Sequence, residues 1–202
     1  MMPLLKNIQK IINRKRELIM LKRPNGNTLH TRVDIAVKKV DILPAHVKLT
    51  ADADNGKLVK LGALLEGELM AKAEVAATDG ATREELYIIK APEIIADEYS
   101  KANNALKKFY NEAGDIVRAY SLKDVELIYI SKEGIDASGV DELRVGQYVK
   151  AGANGKFVAA TANTNAIGKI VKVKTEGVKV FEKEAAQYLN GNVYDMYYIE
   201  MI

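Results

Sequence analysis

Two histidines, ten tyrosines and no cysteine or tryptophan set the chemical inventory of this 202-residue chain. Without thiols there is no disulfide framework, no cysteine nucleophile and no thiolate zinc site. His30 and His46 stand apart with no acid at metal-ligand spacing, so both read as loop or surface residues without a role. Asp52, Asp54 and Gly56 suggest a calcium loop, but an EF-hand places its glycine at the sixth position and a glutamate at the twelfth, and neither matches. An acidic turn between strands is the simpler account. Ser100, Ser121, Ser131 and Ser138 lie in no G-x-S-x-G and have no histidine in a recognisable triad pattern. Gly146, Gly152 and Gly155 do not form G-x-G-x-x-G, and no P-loop is present. Neighbouring acids such as Glu66 with Glu68, or Glu84 with Glu85, are what 27 acidic residues produce unaided. No catalytic, cofactor-binding or metal-binding residue is assigned, and the chain is not expected to be an enzyme.

Two groups of side chains suit binding instead. Tyr194, Tyr197 and Tyr198 crowd the C-terminal end with few Lys or Arg near them in sequence, which favours sheet packing or an oligomer contact over stacking on nucleic-acid bases. Lys6, Lys10, Arg14, Lys15, Arg16, Lys22 and Arg23 form a basic arm. With Arg32, and against Glu17 alone, they give residues 1–32 a charge of +7 in a chain whose total is +3, so the remainder carries −4. Such an arm suits a phosphate backbone, an acidic protein surface or an anionic membrane. Translation from Met20 is an alternative: Lys15-Arg16-Glu17 can be encoded by a purine-rich string resembling a ribosome-binding site, and residues 1–19 would then be an untranslated extension.

The elements that must carry these residues follow from periodicity. Leu4, Leu5, Ile8, Ile11, Ile12, Leu18 and Ile19 recur at three- and four-residue spacing, predicting an amphipathic helix that Pro24-Asn25-Gly26 ends, within an arm of residues 1–30. From Val33 the period becomes two: Val33, Ile35 and Val37 alternate with Asp34, Ala36 and Lys38. Further strands are expected at 47–50, 57–61, 86–90, 116–120, 126–131, 147–150, 157–160, 167–173 and 193–201. Asn-Gly pairs at 55–56, 154–155 and 190–191 predict tight hairpins, the first joining 47–50 to 57–61. Ala102, Ala105, Leu106, Phe109, Tyr110 and Ala113 follow the helical period between Ser100 and Gly114, so a short helix over 99–114 is expected between β halves near 31–98 and 115–202. The fold class is mainly β, with a barrel- or sandwich-like body over 31–202. The matching Asn55-Gly56-Lys57 and Asn154-Gly155-Lys156 hint at duplication, although Asn-Gly hairpins alone produce such an echo. The charged first twenty residues are not a secretory signal, and no apolar run is long enough to span a membrane.

Along residues 33–202 the order of motifs resembles the decoration, or auxiliary head, proteins of tailed bacteriophages. The pieces are Asn55-Gly56-Lys57-Leu58-Val59-Lys60-Leu61-Gly62, Leu86-Tyr87-Ile88-Ile89, Ala91-Pro92-Glu93, Asp97-Glu98-Tyr99 and Phe109-Tyr110-Asn111-Glu112-Ala113-Gly114. After them come Val117-Arg118-Ala119-Tyr120-Ser121-Leu122, Leu143-Arg144-Val145-Gly146-Gln147-Tyr148-Val149, Asn154-Gly155-Lys156 and Tyr197-Tyr198-Ile199-Glu200. The resemblance implies a structural virion protein, assembled in the host cytoplasm, whose partner is the major capsid protein. It would bind the capsid lattice in many copies, or as a homo-oligomer, and stabilise the head. The C-terminal tyrosines and the basic arm are then the expected contact elements. The arm departs from the family pattern and keeps open an internal or portal-region head protein, or a nucleic-acid-binding module.

Overall fold

The computed structural model describes residues 30–38, 42–93, 109–138, 140, 142–160, 162–176 and 194–202. The arm of residues 1–29, most of the expected mid-chain helix and the Asn190-Gly191 turn lie outside them. Twelve strands are described: β1 Val33–Val37, β2 Ala45–Lys48, β3 Leu58–Leu64, β4 Ala71–Ala76, β5 Tyr87–Ile89, β6 Ile116–Ser121, β7 Val125–Ser131, β8 Ile135–Asp136, β9 Tyr148–Ala151, β10 Phe157–Ala160, β11 Gly168–Glu176 and β12 Tyr194–Met201. They form a closed five-stranded barrel, β2-β4-β3-β5-β6, and a seven-stranded sheet, β1-β7-β12-β11-β9-β10-β8. The chain is mainly β, as its periodicity predicts. No helix among the described residues is long and apolar enough to cross a membrane.

The two sheets are built by exchange along the chain. β1 comes before every barrel strand yet pairs with β7 in the large sheet, Val33 opposite Ile130 and Ile35 opposite Ile128. β6 follows residues 99–114 yet closes the barrel against β2 and β5. The passage from barrel to sheet is a 3-10 turn, Leu122–Asp124, which Arg83 ties to the start of β7: its Nε donates to the Leu122 oxygen at 2.9 Å and an Nη to the Val125 oxygen at 2.5 Å.

Strand alternation divides the core. On β3 and β5, Leu58 and Ile88 join the large cluster that includes Ile128, Ile130, Phe157, Ile170 and Ile199, while Val59 and Ile89 turn to a smaller cluster with Leu49, Ala53 and Val117. β5 is therefore buried on both faces, which is why it reads as an unbroken apolar run.

Two expectations are corrected. Residues 47–50 and 57–61 do not form a hairpin: β2 lies between β4 and β6, and β3 between β4 and β5. Only Gly56 takes positive φ there, its N–H donating to the Ile89 oxygen. Asn55 instead uses its side chain as a strand partner, with Oδ1 accepting from the Ala91 N–H at 2.9 Å and Nδ2 donating to the Ala91 oxygen at 3.0 Å. The hairpin actually runs from β3 to β4 through residues 65–70. The mid-chain helix does not extend over its described end either. Asn111 exchanges both backbone hydrogen bonds with Ala53, and its Nδ2 donates to the Ala53 oxygen, a bridge incompatible with a continuing helix. Gly114 does take positive φ, but to turn the chain into β6.

The second Asn-Gly pair does lie in a hairpin, between β9 and β10 with Phe157 opposite Ala151, but the connection spans residues 152–156 and only Gly155 takes positive φ. It also meets the first. The Leu58 N–H, two residues after Gly56, donates to the Gly155 oxygen at 2.7 Å, so the two Asn-Gly-Lys segments hold the barrel against the sheet.

Candidate interaction surface

β12 lies between β7 and β11, so its side chains go alternately to the core and to the outer face of the sheet. Tyr197, opposite Ile130, joins the core and is 5% exposed. Tyr194 is equally buried, its hydroxyl 3.0 Å from His30 Nδ1. Neither is the surface contact that sequence proximity suggests: Tyr197 faces the core, and Tyr194, on the same side of the strand as Tyr198, is covered by His30 and Arg32. Tyr198 alone of the three is left partly open to solvent.

Around Tyr198 the sheet register assembles what the local sequence lacks. Tyr129 on β7 and Lys172 on β11 stand directly opposite it. The Tyr129 and Tyr198 rings lie 4.3 Å apart and tilted by 33°, and Lys172 Nζ sits 5.2 Å from the Tyr198 ring centre, within cation–π range. Glu176 ties the margin of this face, with Oε1 3.0 Å from Lys174 Nζ and Oε2 3.6 Å from an Arg32 nitrogen, while Arg32 also stacks 5.3 Å from the Tyr194 ring centre. Burial, and then the neighbouring Glu176 and Tyr198, push the Tyr129 phenol up from its ordinary range. The Glu176 carboxyl is held low, first by Tyr129 and then by Lys174. The face therefore carries an aromatic pair with Lys172 over one ring and the Glu176 ion pairs at its margin.

A second polar group lies beneath, where the described chain begins. His30 is buried between the Tyr194 hydroxyl and Glu93, whose Oε2 is 3.4 Å from Nε2. Asn55 reaches Glu93 Oε1 at 3.4 Å and receives Asn111 Nδ2 at 3.2 Å. Burial raises the Glu93 carboxyl, but contact with His30 and Asn55 and the charge of Arg32 outweigh it and leave it lowered. These residues join β12, the barrel and the segment after β5. Among the described residues no three His, Asp or Glu side chains could together hold a metal ion, and Asp52, from the apparent calcium loop, accepts the Ala113 N–H instead.

No family model, curated protein or solved structure matches this chain.

The basic arm, Lys6, Lys10, Arg14, Lys15, Arg16, Lys22 and Arg23, lies outside the described residues. Sequence proximity missed Tyr129 and Lys172, which reach Tyr198 only through cross-strand pairing, and Lys174, which stands further along β11 opposite Met196. The available signal was alternation: Tyr129 falls between Ile128 and Ile130, so it must face away from them. Sequence reasoning also passed over Leu64, Leu69 and Met70, which stand exposed around the β3–β4 turn.

Proposed function

We propose that the chain is a structural virion protein that binds the capsid lattice of a tailed bacteriophage and stabilises the head. The motif order along residues 33–202 supports this reading. The observation that carries it is the outer face of β7, β12 and β11, where Tyr129 and Tyr198 pack as an aromatic pair under Lys172. Aromatic side chains held rigidly on strands lose little freedom when covered, and such residues dominate protein interfaces. Bound to assembled lattice and not to dissociated subunits, each copy shifts the assembly equilibrium by mass action, and the repeating lattice turns modest single contacts into a stable coat. The major capsid protein is the partner.

The test starts with particles purified on a density gradient from the source lysate, in which this chain is quantified against the most abundant shell protein. Copy numbers approaching that protein in full and empty heads are expected; absence from particles overturns the reading. Tyr198→Ala then weakens rebinding to stripped heads by about 30-fold, the loss of one interface anchor worth roughly 2 kcal/mol, while its unfolding midpoint shows that the fold persists. Unchanged rebinding moves the contact away from this face. The seven cations of the arm favour a second reading, an internal or portal-region position touching DNA. It predicts a handful of copies per particle and DNA affinity that falls steeply with salt and disappears without residues 1–19.

A further inference from the structure

Among the described residues, large apolar side chains stand exposed at one end of the barrel. β3 and β4 are joined by residues 65–70, where Leu69 is 96% exposed, Met70 63% and the adjoining Leu64 57%. β2 runs parallel to β4, His46 opposite Ala71, so Leu43, 90% exposed and three residues before His46, reaches the same end. Four large aliphatic side chains standing in water at one end of a small barrel mark an interaction site. Glu66 and Glu68 lie in the same turn, and neither forms an ion pair with another described residue. The complement to this surface is an apolar stripe flanked by cations.

Residues 4–23 of the same chain have that composition. Leu4, Leu5, Ile8, Ile11 and Ile12 recur at helical spacing, with Lys6, Lys10, Arg14, Lys15 and Arg16 among them. The described chain starts at His30, buried beside Glu93 and within the Asn55 network. Asn55 precedes β3 and Glu93 follows β5, so both sit at the end of the barrel opposite the one where β3 passes into the 65–70 turn. His30, where the arm joins the described chain, thus lies at the end of the barrel opposite the complement, so copies stacked end to end bring each arm to its neighbour's tip without the arm doubling back along its own barrel. We propose that the β3–β4 tip of one copy receives residues 4–23 of a second copy, head to tail. A contact between two unlike surfaces does not close on itself as a twofold dimer does; it propagates into rows or rings. This inference does not depend on the capsid reading.

The absence of cysteine makes the test direct. Ile8→Cys and Leu69→Cys are introduced in separate full-length preparations, mixed and oxidised. A disulfide-linked pair of chains is expected, formed on the order of ten-fold faster than when Val145→Cys, exposed elsewhere, replaces Leu69→Cys, because docking raises the local thiol concentration. By light scattering, the mass of the unmodified chain should rise with concentration and fall to that of a monomer when residues 1–23 are removed or when Leu64 and Leu69 are both changed to Asp. Equal crosslinking at Leu69 and Val145 overturns the proposal. So does a chain carrying both Ile8→Cys and Leu69→Cys that closes only on itself at every dilution, which would place the arm on its own barrel.

Discussion

Gly155 sits where the two sheets touch, and replacing it by alanine measures that contact. Its φ is +75°, and a Cβ there would stand 2.9 Å from Lys57 Cγ and 3.0 Å from the Leu58 carbonyl oxygen. Left-handed backbone costs an L-residue about 1–2 kcal/mol. The crowding adds about 1–3 kcal/mol, the usual cost of overfilling a packed site. One obstructing atom is backbone, and the Leu58 N–H already donates to the Gly155 oxygen at 2.7 Å, so the barrel would have to move away from the sheet to relieve the clash. Gly67 is the control: its φ is +80°, but nothing lies within 4 Å of the added Cβ. Gly67→Ala should therefore carry the backbone cost alone, and Gly155→Ala should exceed it by about 1–3 kcal/mol. In urea that difference separates the two unfolding midpoints by roughly 0.5–1.5 M at a slope near 2 kcal/mol/M. Gly155→Ala unfolding at or above the Gly67→Ala midpoint would refute the tight junction.

Glu74 carries a second prediction. Its side chain is 3% exposed, paired with Lys57, and accepts from the Thr50 N–H at 2.7 Å and hydroxyl at 2.8 Å. Burial raises its carboxyl, but these partners outweigh it, so the folded value is depressed. The stabilisation is then complete above the ordinary carboxylate range and is lost as pH falls through the lower folded value. Glu74→Gln should flatten that acid limb of stability, and Glu74→Ala should cost about 3–5 kcal/mol by stranding Lys57. An unchanged acid limb in Glu74→Gln refutes the assignment. Tyr194→Phe removes a buried hydroxyl from His30 and should cost about 1 kcal/mol in thermal or urea unfolding without altering the far-ultraviolet spectrum; no loss would mean that this hydrogen bond contributes nothing to holding β12.

What the sequence discloses depends on how much of a strand's environment is local. The alternation at Val33–Val37 is visible because one face of β1 is buried and the other wet, and Phe157–Ala160 is bounded by turn residues on which its pairing also depends. β4 escapes notice because Ala71 and Ala73 meet close neighbours with side chains too small to leave an apolar signature. The Asn55-Gly56 pair misleads because hairpin chemistry is satisfied there by other partners: Gly56 bonds to Ile89, and the Asn55 amide to Ala91. Of the candidate contact residues, Tyr198 is legible as a strand residue, but which tyrosines face outward follows from the position of β12 inside its sheet, a property of strands far away in the chain. Lys172 joins Tyr198 through the irregular register between Ile170 and Lys172, which no local pattern announces.

The order of the strands also decides how this protein can be divided. β1 is synthesised first and belongs with strands that follow residue 124, while β6, made after residue 115, completes a barrel begun at residue 45. A break between residues 99 and 114 would leave an N-terminal fragment with an open barrel and an orphaned β1, and a C-terminal fragment whose core has lost Leu58 and Ile88. Neither fragment has a complete interior, so the two should recover structure only together, each serving as the template on which the other closes.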